Sequence, residues 1–193
     1  MIVSEKLGLP VAGRWAIEGH PSGYWGLLKQ WFDYFGLSGP GLIIGDRGAK
    51  GEAAKKALKR EYPEITVKTV DLLDADIIWD ITRPPFTQIH VTEDYYLTVD
   101  WIICQAMLEH VEDPVASMKN MAAVLNPRGR IFLHTVGPAF KYHRHPIDCY
   151  RYFRDALIVF GEITGLEILD IYWEPRHCFC AYEKPHGIGL DNS

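Results

Sequence analysis

The sequence predicts an α/β fold in which a mostly parallel, twisted sheet carries helices on both faces. Strand-like and helix-like segments alternate through the middle of the chain, which is the pattern of a parallel sheet with crossover helices. The strand-like runs are short and β-branched, whereas the helical ones repeat apolar residues every three or four positions. The length of 193 residues, 48% of them hydrophobic, suits one globular domain.

The first 40 residues are expected to form a helical cap rich in glycine, proline and aromatic residues. Within them, residues 23–36 fit an amphipathic helix, and a Ser-Gly-Pro-Gly run then breaks it. The apolar positions of this helix are Trp25, Leu28, Phe32 and Phe35. Such an aromatic segment is more often core than a substrate cage, and it could still close over the pocket as a lid. The predicted division is a cap at 1–40, the main domain at 41–185 and a tail at 186–193.

The main domain is expected to contain five buried strands, three helices and a closing pair of strands. The strands are predicted at 42–44, 65–70, 75–81, 99–104 and 130–136, the helices at 51–61, 114–125 and 153–163, and the closing pair at 166–173 and 178–182. The second helix has the clearest signals, because Asp113 suits an N-cap and Pro114 suits the first helical position. Its predicted apolar stripe is Val115, Met118, Ala122 and Leu125, and Asn126-Pro127 ends it.

Composition excludes several classes of function. The formal net charge is −5 and the chain has no basic tail, which argues against nucleic acid as a partner. The four cysteines form no CxxC pair, as expected in a reducing compartment. The start of the chain is charged, and no apolar run approaches the roughly 20 residues of a membrane helix. We therefore expect a cytoplasmic protein without membrane insertion.

Ligands of parallel α/β sheets bind at the carboxyl ends of the strands, so the residues that follow each strand are the candidates. The first strand leads into residues 45–51, a GxxGxxG loop that departs from the dinucleotide fingerprint and equally suits a plain turn. Asp71 ends the second strand, where an acid can accept hydrogen bonds from ribose hydroxyls. Asp80 ends the third strand and suits either an adenine amine or a turn cap.

From the fourth strand onward the sequence resembles the small Rossmann-like, S-adenosylmethionine-dependent methyltransferases (class I). The matching features are Asp100, LEH at 108–110, DP at 113–114, LNPRG at 125–129, HPIDCYRYF at 145–153 and IGDRG at 44–48. Arg128 departs from the usual glycine, and Cys149 and Tyr150 stand where the usual order is Tyr then Trp. The resemblance covers roughly residues 41–183. It implies a single Rossmann-like domain of about seven strands and S-adenosylmethionine as cofactor.

The resemblance also implies which residues would hold the cofactor. They are Gly45, Asp46 and Gly48 for the methionine and ribose, Asp71 for the ribose hydroxyls, Leu72 against the adenine, Asp80 and Ile81 beside the base, and Gln105 and Ala106 on the sulfonium side. The implied reaction is methyl transfer to a small or medium-sized acceptor. Sugars, lipids and other metabolites all remain open as acceptors.

Proton transfer, where the acceptor needs it, would fall to the loop after the fifth strand. The candidates there are His143, His145 and Asp148. The interpretation that His145 and Asp148 only brace the loop has at least equal weight. The same residues could ligate zinc or iron, but short His-x-His matches arise easily by chance, so no metal is expected. His110 is expected to be structural, fixing the junction by hydrogen bonds.

Two alternatives compete with the methyltransferase prediction. A degenerate relative could keep the fold and act as a cofactor-binding or protein-interaction module, an idea favoured by the irregular glycine loop. Apolar residues within 86–98 could then form a hairpin or a homodimer surface. A nicotinamide-dependent oxidoreductase is the other alternative, and the missing GxGxxG argues against it.

Overall fold

The computed structural model describes residues 4–9, 26–85 and 98–186. In this part of the chain the strands are β1 (Gly39–Ile44), β2 (Ile65–Asp71), β3 (Ile77–Ile78), β4 (Val99–Gln105), β5 (Leu125–Val136), β6 (Glu167–Trp173) and β7 (His177–Glu183). The helices are α1 (Gly26–Phe35), α2 (Gly48–Glu61), α3 (Pro114–Ala123) and α4 (Arg154–Thr164), and a 3₁₀ turn spans Leu108–His110.

All seven described strands join one sheet in the order β3-β2-β1-β4-β5-β7-β6. The pairs from β3 through β5 are parallel, whereas β7 runs antiparallel to both β5 and β6. The order reverses between β1 and β4, so the loops that follow these two neighbours meet at the same edge. The predicted α/β class with a mostly parallel, seven-stranded sheet is confirmed.

The sheet is buried on both faces, as parallel sheets require. Leu42 and Ile44 of β1 point into a core shared with Met118 of α3 and Leu157 of α4. Ile43 points into the opposite core, which α1 and α2 cover. Successive side chains of one strand therefore point into the two cores alternately. Because both cores are apolar, the strand has a continuous apolar run, such as LII in β1.

The first of these covering helices, α1, is core and not a lid. The buried side chains of its stripe are Leu27, Leu28, Trp31 and Phe32. The indole N–H of Trp31 donates to the buried carboxylate of Asp170 on β6 at 2.8 Å. The backbone N–H groups of Lys6 and Leu7 donate to the other oxygen of Asp170 at 3.0 and 3.3 Å. Both described parts of the N-terminal segment are thus tied to the sheet, while Trp25 lies outside the described residues.

Three element predictions differ from the structure. The third strand is only two residues long, because Asp76 and the residues before it form a turn in which Asp76 accepts from Thr69 N–H at 2.8 Å. Val115 of the predicted stripe is 40% exposed, whereas Met118 and Ala122 are buried as predicted, together with Ser117 and Met121. Leu125 belongs to β5, where it pairs with Val99, and not to the helix. The hairpin or dimer surface within 86–98 and the tail at 186–193 lie almost wholly outside the described residues.

Candidate functional site

The loops after β1 and β4 approach each other closely at the carboxyl edge of the sheet. Gly45 follows β1 with φ +91°, a conformation that favours glycine. A Cβ atom there would lie 3.1 Å from the side chain of Met107 and 3.6 Å from the carbonyl oxygen of Gln105. Glycine at position 45 therefore allows the two loops to approach each other closely, at the point where the strand order reverses.

The rest of the glycine loop connects Gly45 to α2. The Asp46 side chain is buried and forms an ion pair with Lys50, one turn further along. Gly48 has φ +53°, and its N–H donates to the carbonyl of Asp74 at 2.8 Å. A Cβ atom on Gly48 would lie 2.7 Å from a carboxylate oxygen of Asp74, so this glycine is required by the turn after β2.

Asp71 and Leu72 lie side by side where β2 ends. The Asp71 side chain is 17% exposed, and its Oδ1 accepts a long hydrogen bond from Leu73 N–H at 3.3 Å. The guanidinium of Arg47 lies 3.9 Å from the same oxygen. Leu72 is 56% exposed, which is unusual for a leucine beside a buried strand. This pair presents a carboxylate and an open apolar surface at the same edge of the sheet.

The Asp80 carboxylate caps the turn after β3. Its Oδ1 accepts from the backbone N–H and the hydroxyl of Thr82 at 3.0 and 2.7 Å. Ile81 is buried in the core, and its carbonyl accepts from Asn120 of α3 at 2.8 Å. The turn role is therefore present for Asp80, and contact of either residue with a base stays a prediction.

Gln105 and Ala106 form the end of β4. The Gln105 side chain is buried, while Ala106 adopts φ +47°, rare for a residue with a side chain. The N–H of Ala106 donates to the carbonyl of His134 on β5 at 2.8 Å. This strained turn aims the chain into the 3₁₀ turn at Leu108–His110.

Glu109 lies at the centre of a cluster of ionisable side chains between the ends of β4 and β5. It is fully buried, and one carboxylate oxygen accepts from the Thr135 hydroxyl at 2.8 Å. The other oxygen lies 3.9 Å from Nε2 of both His110 and His143. Burial raises the pKa of the Glu109 carboxyl above its ordinary value, and burial lowers the pKa of His110.

The loop after β5 is braced by Asp148. Both Asp148 oxygens bind the guanidinium of Arg151, at 2.5 and 2.7 Å, and one of them also accepts from His143 N–H at 2.6 Å. Arg151 holds the pKa of Asp148 well below its usual range. Asp148 therefore orients the loop, whereas His143 and the exposed His145 remain available for chemistry.

Two contacts join this loop to the junction after β4. The N–H of Cys149 donates to the carbonyl of Glu109 at 2.8 Å, and the hydroxyl of Tyr152 donates to the carbonyl of Leu108 at 2.7 Å. His110 also bonds the carbonyl of Ile147, which agrees with the predicted structural role. The structure thus assembles His143, His145 and Asp148 as predicted neighbours, and it adds Glu109 and Arg151, which the sequence analysis did not select.

Comparison with known proteins identifies the family to which these features correspond. A family model described as a methyltransferase domain matches residues 47–168. A ubiquinone biosynthesis O-methyltransferase of Coxiella burnetii is 33% identical over 88 residues, which cover 37% of this chain and 38% of that protein. The chain therefore matches well under half the length of this curated relative.

Solved structures share the fold at low sequence identity. The N-methyltransferase NodS from Bradyrhizobium japonicum, solved with S-adenosyl-L-homocysteine, has a TM-score of 0.54 and 15% identity over 82% of this chain and 84% of that one. A putative methyltransferase from Bacillus halodurans has a TM-score of 0.59 and 14% identity over 82% of this chain and 98% of that one. Among the described residues, no helix has the length and apolar character needed to cross a membrane.

Proposed function

Because the chain belongs to the methyltransferase-domain family, we propose that it binds S-adenosylmethionine and transfers the methyl group to a small-molecule acceptor. The observation that carries this proposal is the close approach of the loops after β1 and β4 where the strand order reverses, with Gly45 between them and Asp71 at the end of the neighbouring strand β2. The oxidoreductase alternative has no comparable support, since the match is to a methyltransferase domain.

The residues at this edge fit the cofactor by their chemistry. Gly45 lets the backbone turn with a positive φ and would let a ligand approach that backbone closely. The Asp71 carboxylate suits two ribose hydroxyls, and the exposed Leu72 offers an apolar surface to adenine. We assign Asp46, Gly48, Gln105 and Ala106 to the surrounding wall and Asp80 and Ile81 to its base-facing end, as the sequence predicts.

The protein's part in the reaction is alignment and exclusion of water. S-adenosylmethionine, when bound, supplies an electrophilic methyl whose C–S bond breaks as an acceptor lone pair forms the new bond and S-adenosylhomocysteine leaves. The histidine-bearing loop after β5 would face the acceptor. His143 or His145 would accept its proton where the acceptor carries one, and Asp148 would hold His143 in place.

Calorimetric titration with S-adenosylmethionine and S-adenosylhomocysteine tests the proposal. We expect both to bind with micromolar or tighter affinity, and radiolabelled methyl transfer to a panel of hydroxylated small molecules to follow. Absence of binding by a protein that circular dichroism shows to be folded would refute the enzyme function. It would favour the alternative, an interaction module that has kept the fold without the cofactor.

A further inference from the structure

Three potential ligand atoms converge between the ends of β4 and β5. Nε2 of His110 and Nε2 of His143 each lie 3.9 Å from Oε1 of Glu109. One ligand atom from each residue lies within 4.8 Å of the other two. A separation of 3.9 Å is too long for a hydrogen bond, so the three groups face a shared point without bonding each other.

The Glu109 carboxylate supplies an independent indication that a ligand belongs there. Its side chain is 0% exposed, and among the described residues Oε1 accepts no hydrogen bond. Its other oxygen is occupied by the Thr135 hydroxyl. An unpaired carboxylate oxygen is costly to bury, which is why buried charges are usually paired or coordinate a metal ion.

Both imidazoles have outer contacts at their Nδ1 atoms. Nδ1 of His110 lies 2.5 Å from the carbonyl of Ile147, and because a carbonyl only accepts, Nδ1 must carry the proton. Nδ1 of His143 lies 3.2 Å from the carbonyl of Lys141 and 3.5 Å from an Asp148 oxygen. In a neutral His110 the lone pair is then on Nε2, and an outer hydrogen bond at Nδ1 of this kind prepares a histidine for a metal.

We propose that Glu109, His110 and His143 form a binding site for a divalent transition-metal cation, with zinc or iron(II) the best matches to two imidazoles and one carboxylate. Tetrahedral ligands at about 2.1 Å from zinc lie about 3.4 Å apart. Each 3.9 Å separation must therefore close by about 0.5 Å, and the separation between the two histidine ligand atoms, which is within 4.8 Å, by at most about 1.4 Å. This site differs from the His143-x-His145-x-x-Asp148 pattern considered from sequence, because Asp148 is committed to Arg151.

Three protein ligands leave at least one coordination position open, as in catalytic metal sites. Resting on the proposed function, we assign that position to a hydroxyl oxygen of the acceptor, which makes a hydroxylated compound the substrate class. The cation would lower the pKa of the hydroxyl. Its proton would pass to His145 or to water, and the oxygen lone pair would form the bond to methyl as the C–S bond breaks.

Metal binding by the full chain tests this inference. Chelator-treated protein is titrated with Zn²⁺ by calorimetry and with Co²⁺ by visible absorption, whose bands report coordination geometry. We expect one cation per chain at micromolar or tighter affinity, weakened by about 100-fold or more in Glu109→Gln and in His143→Ala. The control is His186→Ala, which removes an exposed histidine outside the cluster and should bind as the wild type does.

The outcomes separate this inference from the proposed function. S-adenosylhomocysteine is titrated into every variant, so that a folded cofactor site is monitored independently of the metal. The metal site is overturned if the wild type does not bind one cation per chain, or if His143→Ala and Glu109→Gln bind the cation as tightly as the wild type does. Either result counts against the metal site even when the cofactor binds. Metal binding that depends on both residues supports the site, and a failure of cofactor binding alongside it would count against the proposed function alone.

Discussion

Replacing Asp71 with alanine is the sharpest test of the proposed cofactor orientation. In the structure this carboxylate makes little structural contribution: its hydrogen bond from Leu73 N–H is 3.3 Å long, and Arg47 stands 3.9 Å away. Two ribose hydroxyls would each donate a charge-assisted hydrogen bond worth about 1.5–3 kcal/mol. Their loss amounts to about 3–6 kcal/mol, or about a 10²- to 10⁴-fold weaker affinity for S-adenosylhomocysteine.

The assay is calorimetric titration with S-adenosylhomocysteine, because a product complex does not turn over. Asp71→Asn retains one acceptor oxygen and should fall between the wild type and Asp71→Ala. Glu64→Ala is the matched control, since Glu64 is an exposed acid just before β2, at the opposite end of the strand. If Asp71→Ala, folded as judged by its urea midpoint, binds within about threefold of the wild type, the ribose assignment is wrong.

Two further predictions concern stability. Asp148→Asn removes the charge pair with Arg151, and urea unfolding at pH 7 should show a loss of about 1–3 kcal/mol. Because the pKa of Asp148 is lowered on folding, its contribution to the free energy of unfolding is complete above the ordinary pKa of about 4 and is lost as the pH falls towards the pKa of the folded state. The difference in stability between the wild type and Asp148→Asn should therefore shrink below pH 4. A difference that stays constant with pH would contradict the assignment. Gly41→Ala should lower the free energy of unfolding by about 1–3 kcal/mol or more, because a Cβ there would lie 2.0 Å from the buried Trp101 ring; an unchanged urea midpoint would show that the ring moves aside freely.

Elements with local signals could be predicted from the sequence, and those set by tertiary contacts could not. The start of α3 is an example of the first kind: the Asp113 side chain accepts from Ala116 N–H at 2.8 Å, as an N-cap should. The exposure of Val115 is an example of the second, because helical spacing places it beside the buried Met118 and Ala122 but does not say whether the core extends to the first turn of the helix. Leu125 likewise fits a helix by spacing, but pairing with Val99 draws it into β5.

The candidate site shows the same division. Gly45 follows β1 and Asp71 ends β2, so the strand prediction was enough to place both at the carboxyl edge of the sheet. The meeting of Glu109 with His143 depends on two loops separated by α3 and β5, and no local spacing encodes it. Nor does the sequence indicate that Arg151 withdraws Asp148 from the histidines by binding both of its oxygens.

The proposed cofactor site and the proposed metal site both include residues at the end of β4. The carbonyl of Gln105 lies close to Gly45, and the carbonyl of Glu109, four residues further on, accepts from Cys149 N–H in the loop after β5. Asp71 ends β2, whereas His143 lies in the loop after β5, and β1 and β4 separate these two strands in the sheet. Asp71→Ala should therefore weaken the cofactor and leave metal affinity unchanged, whereas His143→Ala should do the reverse. Joint loss in either single variant, with the fold intact, would mean that the two groups serve one ligand.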